Sequence, residues 1–167
     1  MVQASPAMDG HVEVAVAAGG AAVRLFCFAQ NAPDLGYWQE HAALLDGYVL
    51  DPAALVKRLR KQEIAAERDW GDARLLAALW SLEGATALAD VDGDFNLCLM
   101  HVDTGAVSLL SSRHGSRHLY YMVTAEFLAF SPYLAGLSTL VAPVVNRLSL
   151  QDMFNFGYIG GDRTMLQ

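Results

Sequence analysis

Charge is scarce in this sequence, and positive charge is the scarcer kind: only 17% of the 167 residues are charged, with 11 Lys+Arg against 18 Asp+Glu, for a net charge of -7. The basic residues are scattered, so no stripe is available to neutralise a phosphate backbone or an anionic membrane surface. Nucleic acid is therefore not an expected partner. Cysteine is sparse as well. Cys27 and Cys98 each fall inside an apolar run, Leu25-Phe26-Cys27-Phe28 and Leu97-Cys98-Leu99, and neither has the CxxC partner that a zinc site needs. Both read as core thiols of a reducing compartment. The chain holds no run of about 18 apolar residues, which excludes a membrane-spanning helix. Met1 to Pro6 lack the basic and apolar regions of a secretory leader. A cytoplasmic protein with no membrane partner is expected.

What the sequence has in quantity is apolar surface to bury. With 54% hydrophobic residues, it can build one substantial core without disulfides or metals, and one domain over residues 1–167 is the natural count. Val12–Val16 and Ala22–Phe28 read as strands joined at Gly19-Gly20, a pair suited to a tight hairpin. The segment from Asn31 to Gly36 reads as a loop, after which Ala43-Leu44-Leu45 leads into Asp46-Gly47. Asp51-Pro52 predicts a helix start, because Asp caps free N–H groups and Pro needs no donor at the first position. Leu55, Val56, Leu59 and Ile64 follow helical spacing. Lys57, Arg58, Arg60 and Lys61 fall largely on the opposite side, a basic cluster that could meet an anionic ligand but reads first as a solvated face. A second helix is predicted from about Asp72 to Glu83, with Leu75, Leu76, Leu79 and Leu82 turned inward and Gly84 ending it. Four strands follow: Phe95–Val102, Val107–Leu110, Leu119–Val123 and Phe127–Phe130. Ser131-Pro132 begins a short helix, Pro143 breaks the chain, and Ser149 caps a last helix to about Phe156. Strands, helices and strands again in one core suggest an α+β domain.

Several segments, in this order, resemble the amino-terminal class II glutamine amidotransferase domain of asparagine synthetases. Asp46-Gly47 followed by Asp51 resembles the family's Asn-Gly-Glu-Ile-Tyr-Asn, and Gly71-Asp72 its Ser-Asp-Thr-Glu. Leu88 to Phe95, with Asp92-Gly93-Asp94-Phe95, is similar to Leu-x-x-Leu-Asp-Gly-x-Phe. Arg113-His114-Gly115-Ser116-Arg117-His118-Leu119-Tyr120-Tyr121 resembles Arg-Phe-Gly-Ile-Lys-Pro-Leu-Tyr-Tyr, and Phe156 to Thr164 resembles Leu-Gly-Tyr-Ile-Pro-Gly-Pro-Arg-Thr. The resemblance spans roughly residues 43 to 167. It implies a four-layer αββα Ntn-hydrolase sandwich, two antiparallel sheets flanked by helices. It also implies a second, ATP-using synthetase domain after Gln167. ATP and magnesium would belong to that domain, since the family's Ser-Gly-Gly-x-Asp-Ser pyrophosphate loop is absent from these residues; no cofactor and no metal is expected in this segment.

The family attacks glutamine with an amino-terminal Cys whose α-amino group serves as base. Val2 stands at that place, and Cys27 is internal, so no residue is assigned a catalytic role. Asp46 occupies the position of the Asn that stabilises the oxyanion, where a carboxylate would repel the developing charge. Tyr48 replaces a Glu, and Ser111-Ser112 replaces an Arg-Asp pair. Asp72 matches the Asp that holds glutamine's α-amino group, although an acid at a helix start is also favoured by the helix dipole. Asp46, Gly47 and Asp72 are thus the candidate remnants of a glutamine pocket. His114 and His118 read as loop residues. Asp90, Asp92 and Asp94 read as a turn, because Gly93 and His101 do not fit a calcium loop. The glycine pairs lack the Lys-Ser/Thr of a phosphate cradle.

The expectation is a glutaminase-like domain without glutaminase activity, supporting an asparagine-synthase-type amide ligase. Its expected partners are its own carboxy-terminal synthetase domain, glutamine, and a second copy in a homodimer. Two alternatives stand beside it: an active glutaminase whose Cys-bearing start precedes this sequence, and a stand-alone ligand-binding module.

Overall fold

The computed structural model describes residues 2–6, 11–18, 21–28, 33–124, 127–142, 144–161 and 163–166, with backbone course alone for the first three stretches. The Gly19-Gly20 turn, the Cys27 side chain, Pro143 and Asp162 lie outside what is described. The chain divides into two compact units, Met1–Tyr133 and Leu134–Gln167.

The first unit contains two sheets. One has the order β1-β2-β3-β9-β8, from Val2–Pro6 (β1), His11–Ala18 (β2), Ala21–Phe28 (β3), Tyr120–Val123 (β8) and Leu128–Ser131 (β9). The other has the order β4-β5-β6-β7, from Asp34–Trp38 (β4), His41–Val49 (β5), Gly93–His101 (β6) and Val107–Ser111 (β7). Every ladder is antiparallel except β3 with β9, which is parallel and aligns Leu25 with Leu128. The four strands read from the second half of the sequence are all present, but they are shared between the sheets: β6 and β7 belong to one, β8 and β9 to the other.

The second sheet is apolar on both faces because successive side chains of a strand point to opposite sides. Ala43, Leu45, Leu97 and Leu99 join one cluster with Leu55, Leu59, Leu75, Leu76 and Leu79 of the helices. Ala42, Leu44, Cys98 and Met100 join another with Phe130 of β9. The unit is therefore layered, helices on one sheet and that sheet on the other, with cores in both gaps.

Two helices form the outer layer. Helix α1 spans Pro52–Lys61 with Asp51 accepting the Ala54 N–H, as the Asp-Pro pair predicts. Helix α2 spans Asp72–Glu83 and ends at Gly84, followed by a 3-10 turn over Gly84–Leu88. Leu82 departs from the predicted inward stripe and is 40% exposed. The two helices are tied by an Arg58–Glu83 ion pair, with Gln62 also donating to Glu83 and Arg58 donating to the Ala87 carbonyl.

The loop expected at Asp34–Gly36 is instead strand β4. Its turn-like composition has a packing cause. A Cβ on Gly36 would lie 2.1 Å from the Arg74 nitrogen, so only glycine lets the strand pass so close to α2. Asp34 is equally specific, accepting the Ala73 N–H at 2.9 Å and so capping α2 from a distant strand.

In the second unit, α3 spans Leu134–Ser138 and α4 spans Arg147–Phe156. The cap of α4 is Asn146, whose side chain accepts the Leu148 and Ser149 N–H groups. The predicted cap, Ser149, sits inside the helix and is buried. Gly157 then ends α4 in a left-handed conformation.

Candidate functional site

Strand β5 carries Asp46 and Gly47 near its end. By alternation, Asp46 faces the same side as Ala42 and Leu44, toward the gap between the sheets. Opposite it in register stands Asn96 of β6, and opposite Tyr48 stands Asp94. Gly47 is forced here: its φ is +123°, and a Cβ would meet the Asp94 carbonyl oxygen at 2.1 Å.

The turn after β7 brings Arg117 across this strand end. Its Nη1 lies 3.4 Å from Asp46 Oδ1, and its Nε donates to the Asp94 carbonyl oxygen at 3.1 Å and to Asp94 Oδ2 at 3.2 Å. Ser116 Oγ donates to Asp94 Oδ1 at 2.5 Å. One guanidinium thus joins two carboxylates, and one of them, Asp46, has a side chain only 12% exposed. Burial pushes the Asp46 carboxyl above the usual carboxylate range; Arg117 counters the rise and Asp94 adds to it. Asn96 donates to the His118 carbonyl oxygen at 2.9 Å. The second oxygen of Asp46 and the side-chain oxygen of Asn96 are buried acceptors with no hydrogen-bond partner among the described residues. Both oxygens are sealed from solvent, which adds to the desolvation that raises the Asp46 carboxyl.

Asp72, the first residue of α2, accepts the Val49 N–H at 2.8 Å. The three residues singled out from the sequence therefore gather at one strand end, Asp46 and Gly47 within β5 and Asp72 through the backbone two residues later. Asp72 has a definite structural task there, since its carboxylate fastens α2 to β5 at the positive end of the helix dipole. Arg117, Asp94 and Asn96 were not singled out as site residues. The only sequence signal for them is that Arg117 and Asp94 lie inside two of the resembling segments.

His114 and His118 flank a turn at Gly115 with φ +57° and share no helix. Asp94 serves Arg117 and Ser116, and no group of three or more His, Cys, Asp or Glu with metal-holding geometry occurs among the described residues. Nor, among the described residues, is any helix long and apolar enough to cross a membrane.

Two face-to-face sheets under a helical layer, with a polar cluster where the gap between them meets a strand end, define a layered α/β domain. Residues 35–139, well over half of the chain, match the family model of the glutamine amidotransferase domain, and the chain belongs to that family. No curated protein matches it.

Proposed function

We propose that this chain is the glutaminase-like domain of an asparagine-synthase-type amide ligase and that it does not itself hydrolyse glutamine. The family match supports the amidotransferase part of the reading. The observation that carries the rest is Asp46, a carboxylate paired with Arg117 where the resemblance sets an amide N–H donor. Glutamine hydrolysis builds negative charge on the amide oxygen, and catalysis needs a donor aimed at it. A carboxylate supplies repulsion in its place, and the guanidinium that could offset this is already shared with Asp94.

On this reading the fold completes the four-layer Ntn-hydrolase sandwich. Asp46, Gly47 and Asp72 are the remains of a glutamine pocket. The domain acts in the cytoplasm as a scaffold for an ATP- and magnesium-using synthetase domain of the same protein, with dimerisation through a second copy. The test is glutamate release from glutamine by the full-length native gene product, with its amino terminus sequenced, run beside ATP-dependent amide formation. Amide formation without glutamate release is the expected result. Glutamate release at an amidotransferase rate from a protein with a terminal Cys would overturn the reading.

A further inference from the structure

The chain has only two lysines, Lys57 and Lys61, and they lie one turn apart on α1. At that spacing both project from one face of the helix. Arg60 belongs to the same region, and the chain then doubles back. The Gln62, Glu63 and Ile64 N–H groups donate to the carbonyls of Leu59 and Arg60, with Glu63 in a left-handed conformation at φ +63°. Arg60 Nε donates to the Ala66 carbonyl oxygen at 2.8 Å, and Ala66 is itself buried. The returning chain carries Arg68 back to the helix.

The result is a groove of about 510 Å³ lined by Ala53, Val56, Lys57, Arg60, Lys61 and Arg68. Four cations line it and no carboxylate does. Glu63, Glu67 and Asp69 are exposed in the same loop, yet among the described residues none forms an ion pair with a lining cation. The solvated face read from the sequence is therefore changed in membership: Arg58 turns away to Glu83 and the Ala87 carbonyl, and Arg68 joins from the loop. Four unneutralised cations around a concavity concentrate positive potential there, in a chain whose net charge is -7.

We infer that this groove binds a phosphate-rich anion, a di- or triphosphate group held between Lys57 and Lys61 with Arg60 and Arg68 at the sides. Guanidinium groups match phosphate oxygens in pairs, and ammonium groups serve as point charges. Ala53 is the exposed apolar side chain of the groove, beside Val56, which is buried in the core; a free polyphosphate would leave Ala53 unused and an attached organic group would cover it.

Calorimetric titration of the 167-residue chain at low ionic strength, with inorganic tripolyphosphate and separately with ATP, tests the assignment. Saturable binding at one site is expected, weakening as salt is added. The double variant Lys57→Gln/Lys61→Gln should weaken it by about tenfold or more. Arg68→Gln should weaken it in the same direction. Arg147→Gln, which removes one exposed charge from α4, should leave it unchanged. Equal affinity for the two probes identifies the phosphate chain as the recognised part, and tighter ATP binding adds the apolar contact at Ala53. Absence of saturable binding, or equal weakening by Arg147→Gln, overturns the inference. All four substituted side chains are exposed, and a circular dichroism spectrum matching the parent's verifies that each variant is folded.

Discussion

Replacing Gly47 by alanine tests whether the end of β5 is held as tightly as the structure describes. Two costs arise at one residue. The positive φ of +123° is unfavourable for any L side chain, at about 1–2 kcal/mol. The new Cβ would also start 2.1 Å from the Asp94 carbonyl oxygen. Ordinary C–H···O separations are about 3.3 Å, so β5 and β6 would have to part by roughly 1 Å. Overpacking of this kind costs about 1–3 kcal/mol. The sum centres on about 3.5 kcal/mol, a large share of the roughly 5–15 kcal/mol of a typical domain. For a chain of this size it corresponds to a fall in Tm of about 7–14 °C. Urea unfolding followed by circular dichroism measures the loss, with an unchanged slope confirming that the unfolded state is not what moved. Gly115→Ala is the matched control. Its φ is +57° and nothing lies within 4 Å of the added Cβ, so the backbone cost stands alone there. If Gly47→Ala costs no more than Gly115→Ala, the close approach of the strands is refuted.

Two carboxylates should show opposite pH dependences. Burial raises the folded-state pKa of Asp46, so its contribution to stability is full below the unfolded value near about 4 and is lost as pH rises through the folded value. Asp46→Asn removes that loss, and unfolding free energies should move in the variant's favour from pH 4 to pH 7; a difference that does not change with pH would contradict the buried placement. Glu83 is lowered, first by its hydrogen bond from Arg58, so its contribution is present above the unfolded value and disappears as pH falls through the folded one. With side chains 33% and 25% exposed, the pair is worth at most about 1 kcal/mol. Glu83→Gln should lower the urea midpoint at pH 7 by an amount that shrinks as pH falls below the unfolded value, and a loss that does not change with pH would show that the ion pair is not the cause.

The elements legible in the sequence were those whose ends are set by neighbouring residues. Asp51-Pro52 announced α1, and Asp72 with Gly84 bracketed α2, because caps and terminators act within a turn of the helix. Strand β4 was hidden since Gly36 answers to Arg74, a residue far along the chain, and a glycine in a run of Asn, Pro and Asp resembles a turn locally. The cap of α4 slipped from Asn146 to Ser149 for a simpler reason: both residues can cap, and backbone conformation chose the earlier one. At the candidate site, resemblance points to Asp46, Gly47 and Asp72 one at a time. The pairing of Asp46 with Arg117 joins residues 71 positions apart and depends on β6 and the following turn being in place. No local pattern encodes it.

The parallel ladder between β3 and β9 sets an order of assembly. Leu25 must find Leu128, whereas β4 to β7 and both helices of the first unit come from the unbroken stretch between residues 34 and 111. At synthesis rates of about 5–20 residues per second, the edge of β3 waits roughly 5–20 s for its partner to emerge. During that interval it presents a row of unpaired backbone groups, able to accept a strand from any neighbouring chain. The completion of the first sheet is thus a race between β9 and foreign strands, and conditions that slow translation or raise nascent-chain concentration favour the foreign strand.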